Sequence, residues 1–483
     1  MSASPKYETI IGLEVHAQLL TRTKMYCGCS ADYQNAAPNS HVCPVCLGMP
    51  GSLPVANRSA IECVMMTALA LHCELPPDTR FDRKNYFYPD LMKGYQISQY
   101  DMPIGRSGWL DIEVNGVAKR IGITRVHLEE DVAKSLHMGR YSLIDVNRSG
   151  VPLMETVSEP DMRSAEEARE YLVRLRALLR YLGVSTGNME EGSFRCDANI
   201  SLRPYGSTEF GAKIEVKNMN SFRGVYRALK YEEERQADVL ERGGTLQQET
   251  RGWLDGEGVT VLQRTKEYAE DYRYFPEPDI PPFVLDRVWT DRISASMPEL
   301  PDARRTRFVS DYALQPADAG TLVASRAMAD FFERCVEKSG AGKARAVANW
   351  LLSDVSRLLN ADGVEVCDCP LRPEGVAELV ELIDRGALGG PAAKQVLEQM
   401  YKSGKMPAAI MEELNLGQIS GSDALVEAIR QVIAENPKAA ADFRAGKPQS
   451  ITFLTGQVMR LTRGRANPAV TRQLLERELL QRS

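Results

Sequence analysis

Three separated stretches of the chain alternate apolar and polar residues with period two, and this alternation constrains the fold more tightly than any other feature. In "IGLEVHAQL", Ile11, Leu13, Val15, Ala17 and Leu19 alternate with Gly12, Glu14, His16 and Gln18. "CDANISLR" sets Cys196, Ala198, Ile200 and Leu202 against Asp197, Asn199, Ser201 and Arg203, and "AKIEVKN" sets Ala212, Ile214 and Val216 against Lys213, Glu215 and Lys217. Strand side chains point alternately to opposite faces, so each segment offers one apolar face and one face of carboxylates, amines and an imidazole. The last two, joined by the turn-forming "PYGSTEFG", read as an antiparallel pair. Such a polar face is either a solvated surface or the floor of a charged cup.

Helices are interleaved with these strands. Ser164 and Glu167 have capping-box spacing, and Ala168, Tyr171, Leu172, Leu175, Leu179 and Leu182 follow at helical intervals up to Gly183. A second helix is predicted from Val225 to Arg242, ended by Gly243 and Gly244. Helices mixed with antiparallel strands, without regular βαβ alternation, indicate an α+β fold. Prolines cluster over residues 275–301, and beyond them the periodicity is helical, with Gly404 in "KSGKMP" as a second linker. The expected domains are therefore 1–292, 293–403 and 404–483.

A chain of 483 residues exceeds a single core, and its apolar runs are too short to cross a bilayer. The opening "MSASPKYET" lacks the apolar core of a secretory signal, so a cytoplasmic location with reduced cysteines is expected. The net charge of -6 exerts no global pull on nucleic acid, and any such contact must be a local patch.

Cys27, Cys29, Cys43 and Cys46 in "YCGCSADYQNAAPNSHVCPVC" have zinc-ribbon spacing, with His41 as a competing ligand. Cys63, Cys73, Cys196 and Cys335 read as core residues, and Cys367 and Cys369 as a pair without partners. "SGAGKAR" around Lys343 imitates a phosphate loop but lacks its first glycine and its Ser or Thr. Any handling of ATP must therefore come from a sheet face with metal ions and basic residues. Acidic candidates are Glu129, Glu130 and Asp131 beside His127, Glu155 in "VPLMETVSEP", and Glu190 and Glu191 in "NMEEGSFRCD". Together with Glu14, His16 and Glu215 they make a carboxylate-lined cup suited to Mg²⁺, whose oxygen ligands include one or two carboxylates and phosphate oxygens. Arg83, Lys84, Arg195, Lys213 and Lys217 are the candidates for neutralising phosphate. The segment "FDRKNYFYPDLMKGYQISQYD" fits neither strand nor helix and reads as a binding loop or a packed surface loop.

"IGLEVHAQL", "FDRKNYFYPD", "GYQISQYD", "ITRVHLEED", "NRSGVPLMETVSEPD", "MEEGSFRCDANISLRP", "KNMNSF" and "DYRYFPEPD", in this order, resemble the B subunit of the aspartyl/glutamyl-tRNA amidotransferases, the GatB family. The resemblance implies an N-terminal antiparallel-sheet cradle domain of glutamine-synthetase-like fold, a helical domain and a small all-α tail related to YqeY proteins. It implies a carbon–nitrogen ligase with glutamine as amido donor. Such an enzyme phosphorylates the side-chain carboxylate of Glu-tRNA(Gln) or Asp-tRNA(Asn) with ATP and amidates it with ammonia from a glutaminase partner. His16, one or both of Glu129 and Glu130, and Glu155 would hold Mg²⁺; Glu14, Glu190 and Glu215 would hold a second, transient ion. Strand alternation puts Glu129 and Glu130 on opposite faces without choosing between them. Zinc would be structural, the amidase (A) and small (C) subunits of a heterotrimer would be the partners, and misacylated tRNA the substrate. Arg460, Arg463, Arg465 and Arg472 in the basic tail are the candidates for gripping tRNA. The rivals are a non-catalytic tRNA-binding zinc protein and a metal-dependent phosphohydrolase.

Overall fold

A computed structural model describes residues 6–265, 272–414, 416, 422–445, 447, 449–462, 466 and 468–481. The chain divides into two compact units, Met1–Leu300 and Pro301–Ser483.

The first unit is organised by an eight-stranded sheet. Its strands in chain order are β1 (Tyr7–Gln18), β2 (Gly105–Val114), β3 (Val117–Glu130), β4 (Pro152–Ser158), β5 (Phe194–Pro204), β6 (Ile214–Lys217), β7 (Glu249–Leu254) and β8 (Val259–Thr265). Across the sheet they run β8-β7-β6-β5-β1-β4-β3-β2. The opening strand is thus central, flanked by β5 and β4. Its apolar row is fully covered, with Ile11, Leu13, Val15 and Ala17 at most 1% exposed. Cys196, Ala198, Ile200 and Leu202 of β5 and Ile214 and Val216 of β6 are likewise buried. Helix α1 (Arg58–Ala70) adds Val64, Met65 and Ala68 to the core beneath the sheet, and α2 (Ala165–Leu182) adds Tyr171, Leu172 and Leu175.

The alternation of "CDANISLR" and "AKIEVKN" folds as read, with β5 antiparallel to β6. The sheet also contains one parallel pair, β6 with β7. A parallel pair needs a long crossover, and helix α3 (Phe222–Glu241) provides it between these two strands. This helix begins at Phe222 rather than Val225 because Ser221 caps it, accepting from Gly224 N–H. The α2 start is half a capping box. Ser164 accepts from Glu167 N–H, while the Glu167 carboxylate takes Arg163 N–H instead of returning to Ser164. The aromatic segment from Phe81 is no simple loop: Asp82–Asn85 and Tyr95–Ser98 pair as strands, and Phe275–Pro276 joins them as a third.

The second unit is helical among the described residues and holds two hydrophobic cores, one from Phe308 to Ile410 and one from Leu425 to Leu479. Gly404, in the left-handed conformation, ends the helix Gly390–Ser403, and Ile410 beyond it still packs into the first of these cores.

Candidate active site and metal centre

Strand register assembles the site. His16 of β1 lies opposite Arg195 of β5 on one side and Glu155 of β4 on the other, and Glu155 in turn lies opposite His127 of β3. One row across four strands therefore reads Arg195, His16, Glu155, His127. Glu129, two residues on from His127, points to the same face. His16 Nε2 is 3.5 Å from Glu129 Oε1 and 3.6 Å from Glu155 Oε2. His127 Nε2 is 3.2 Å from Glu155 Oε2.

His127, Glu129 and Glu155 are buried, and burial opposes each of their charges. Burial alone would lower the His127 pKa, but Glu155 and Glu129 hold it up at about 9. Burial would likewise raise both carboxyls, and the facing imidazoles hold them below the usual carboxylate range. Ionised carboxylates on one face form a site prepared for positive charge. The donor atoms of His16, Glu129 and Glu155 all lie within 4.8 Å of one another. Neighbouring ligands of an octahedral Mg²⁺ stand about 3 Å apart, so a small side-chain adjustment brings these three to bonding distance. The donor set fits a hard divalent cation.

Glu129 and Glu130 part as alternation requires. Glu130 faces the other side of the sheet, where its carboxylate pairs with Lys93 and accepts from Ile97 N–H at 3.0 Å. It is not brought to the His16 cluster.

The cluster floors a polar cleft of about 630 Å³. Glu14 and Glu215 line this cleft, but Glu190 does not; it sits exposed in a turn with its N–H on Asn188 Oδ1. Glu14 accepts from Asn199 at 3.0 Å, and Glu215 binds Thr250 and Lys217. Lys84, Arg195, Lys213 and Lys217 line the cleft; Arg83 does not. Arg83 alternates away from Lys84 and is held by Glu277 at 2.6 Å and Asp279 at 3.0 Å. Sequence reasoning missed Arg125, which lines the cleft 3.8 Å from Glu155. The signal was present, since "TRVHLE" places Arg125, His127 and Glu129 on one face. Tyr86, Tyr100, Tyr272 and Tyr274 also line the cleft, and the last two come from a segment distant in sequence. Tyr100 and Tyr274 stack with ring centroids 4.3 Å apart.

The four cysteines of the ribbon also converge. Their sulfurs lie within 4.8 Å of one another, with Cys43 and Cys46 Sγ 3.9 Å apart. Tetrahedral zinc with bonds of about 2.3 Å places its sulfurs about 3.8 Å apart, so the set fits that ion. A hydrogen bond from Cys27 lowers the Cys46 thiol to about 4, and the buried Lys24 adds to this effect. His41 is not part of this set.

In the tail, Arg460 and Arg472 are exposed, and Arg472 reaches Glu476 at 3.3 Å. Arg463 and Arg465 lie outside the described residues.

Residues 9–291 match the family model of the GatB/GatE catalytic domain, and residues 330–479 match that of the GatB domain. Curated relatives match along nearly their whole lengths. The B subunit of the aspartyl/glutamyl-tRNA(Asn/Gln) amidotransferase of Thermomicrobium roseum is 55% identical, covering 99% of both chains. The proteins of the same name from Dehalococcoides mccartyi and Carboxydothermus hydrogenoformans are 54% and 52% identical, each covering 98% of this chain and 99% of its own.

Proposed function

The chain belongs to the GatB family of tRNA-dependent amidotransferase subunits, and on that premise we propose that its sheet face is the kinase and amidation site. The substrate is Glu-tRNA(Gln), Asp-tRNA(Asn) or both. The observation that carries this reading is the His16, Glu129 and Glu155 cluster opening into a cleft lined by basic residues. A zinc protein that merely holds tRNA has no use for such a cluster.

A carboxylate does not accept ammonia, because oxide would have to leave. In the proposed sequence a side-chain oxygen of the aminoacyl group attacks the γ-phosphorus of ATP and ADP departs. Ammonia then adds to the acyl carbon, and phosphate departs with the former carboxylate oxygen. Bringing an anion to a polyanion requires positive charge at the transferred group. Mg²⁺ bound by His16, Glu129 and Glu155 would supply part of it at the phosphate oxygens. Lys84, Arg125, Arg195 and Lys213 supply the rest from the walls. Lys217 is engaged by Asp197 at 2.6 Å and Glu215 at 3.1 Å, so a second, transient ion at Glu14 and Glu215 would have to displace it. The glutaminase that provides ammonia is the amidase (A) subunit; the small (C) subunit ties the heterotrimer together. On the same reading the first unit is a glutamine-synthetase-like cradle, the second ends in a YqeY-like tail, and the whole is a carbon–nitrogen ligase working in the cytoplasm.

Reconstitution with the amidase and small subunits, assayed separately on Glu-tRNA(Gln) and Asp-tRNA(Asn), tests the proposal. ATP cleavage should depend on the misacylated tRNA and yield Gln-tRNA(Gln) or Asn-tRNA(Asn). Equal ATP cleavage on uncharged tRNA would favour the phosphohydrolase instead.

The tail is proposed to grip the body of the tRNA through its phosphates. Because Ile410 belongs to the preceding core, the informative truncation ends the chain after Leu416. It should raise the KM for misacylated tRNA and flatten the salt dependence of tRNA binding by about 0.7–0.9 in log–log slope for each phosphate no longer gripped. The glutaminase rate should hold. Unchanged affinity and salt slope would make the tail a structural appendage.

A further inference from the structure

Arg195 stands beside a carboxylate that it must not neutralise. It lies opposite His16, and Glu129 is among the acids that raise its pKa against burial. A guanidinium free to swing would pair with Glu129 and compete with any cation for it. The structure holds it elsewhere. Asp131, 2% exposed at the end of β3, receives Arg195 at 3.1 Å. The same carboxylate accepts Gln18 Nε2 at 2.7 Å, so its second oxygen is occupied from β1.

Gln18 is in turn fixed by a residue of the cysteine ribbon. Its amide Nε2 lies 3.0 Å from the Tyr33 hydroxyl, which also lies 3.2 Å from Gln18 Oε1. Tyr33 belongs to the loop between Cys29 and Cys43, and that loop is anchored independently of any metal. Asn39 Oδ1 accepts from Val146 N–H at 2.7 Å, and Asn147 Oδ1 accepts from His41 N–H at 2.8 Å. Tyr33 therefore reaches Gln18 from a braced loop, with Gln18 7% exposed beneath it.

We propose that Tyr33 of the ribbon loop is a positioning residue for ATP binding, acting through Gln18 and Asp131 to hold the Arg195 guanidinium at the cleft rim for phosphate. The inference rests on the reading of the cleft as the ATP site. It gives the ribbon a part in substrate binding beyond stabilising the chain. Loss of a contact made equally to bound ATP and to the transition state raises KM and leaves kcat unchanged, and the relay is assigned to such a contact.

The test is a double-mutant cycle in the reconstituted complex with Tyr33→Phe and Arg195→Ala, read as equilibrium ATP affinity, KM for ATP, kcat and zinc per chain. Tyr33→Phe should weaken ATP binding about 3- to 10-fold, leave kcat within about twofold and keep one zinc per chain. Arg195→Ala should weaken ATP binding further, and adding Tyr33→Phe to it should change nothing more. Gln18→Leu should repeat the Tyr33→Phe effect without altering zinc. If Arg195→Ala leaves ATP binding intact, the reading of the cleft fails for this residue and the relay falls with it. If Arg195→Ala weakens binding while Tyr33→Phe is neutral, or remains fully additive with it, the cleft reading stands and the relay is refuted.

Discussion

Replacing Glu155 by Gln should lower ATP-dependent amidation by about 10³-fold, while the partner glutaminase continues to hydrolyse glutamine. Glu155 stands between His16 and His127 and is one of two carboxylates in the cluster. The amide keeps the shape but removes the charge that a cation and both imidazoles face. Loss of about 4 kcal/mol of charge stabilisation corresponds to that factor. His16→Ala should act in the same direction with less cost to folding, since the His16 side chain is 20% exposed whereas that of Glu155 is 9%. Amidation and glutaminase rates measured on one preparation, with a thermal melt, separate the chemical effect from unfolding. Normal amidation in either variant would refute the metal-site assignment.

The second large effect concerns the ribbon. Purified protein should contain one zinc ion per chain, and Cys43→Ser should lose it with a marked drop in melting temperature and soluble yield. Structural zinc contributes on the order of 10 kcal/mol of apparent binding free energy, comparable with the whole stability of a domain. Here the loss is compounded at Lys24, 1% exposed, which would face one thiolate fewer. The fraction that stays folded should retain most of its maximal rate at saturating ATP, because the ribbon sulfurs lie outside the cleft lining. Metal analysis finding no zinc in protein prepared without chelators would overturn the assignment.

How far these properties were legible depends on the range of the interaction. The apolar rows of β1, β5 and β6 were readable because alternation is local and only one face of each can enter the core. The choice between Glu129 and Glu130, and between Arg83 and Lys84, was not. Each pair splits across two faces, and which face carries the site depends on partners far along the chain, Glu155 and His16 in one case and Glu277 in the other. Glu190 lies in the acidic stretch "NMEEGSFRCD", which carries no local sign of its facing, and its turn holds it away from the cleft. Arg125 was readable from alternation and was missed. The parallel pairing of β6 with β7 has no local signature; it follows from the crossover through α3. The Tyr33, Gln18, Asp131 and Arg195 chain joins four distant segments and is visible only in three dimensions.

The central claim, that a side-chain carboxylate is phosphorylated in this cleft before ammonia arrives, is tested most directly by following its oxygen. Misacylated tRNA carrying oxygen-18 in the side-chain carboxylate is incubated with ATP, glutamine and the reconstituted complex, and the released inorganic phosphate is analysed by mass spectrometry. One labelled oxygen per phosphate, formed in step with amide and abolished by Glu155→Gln, is the expected result. Amide formation with unlabelled phosphate would contradict the account.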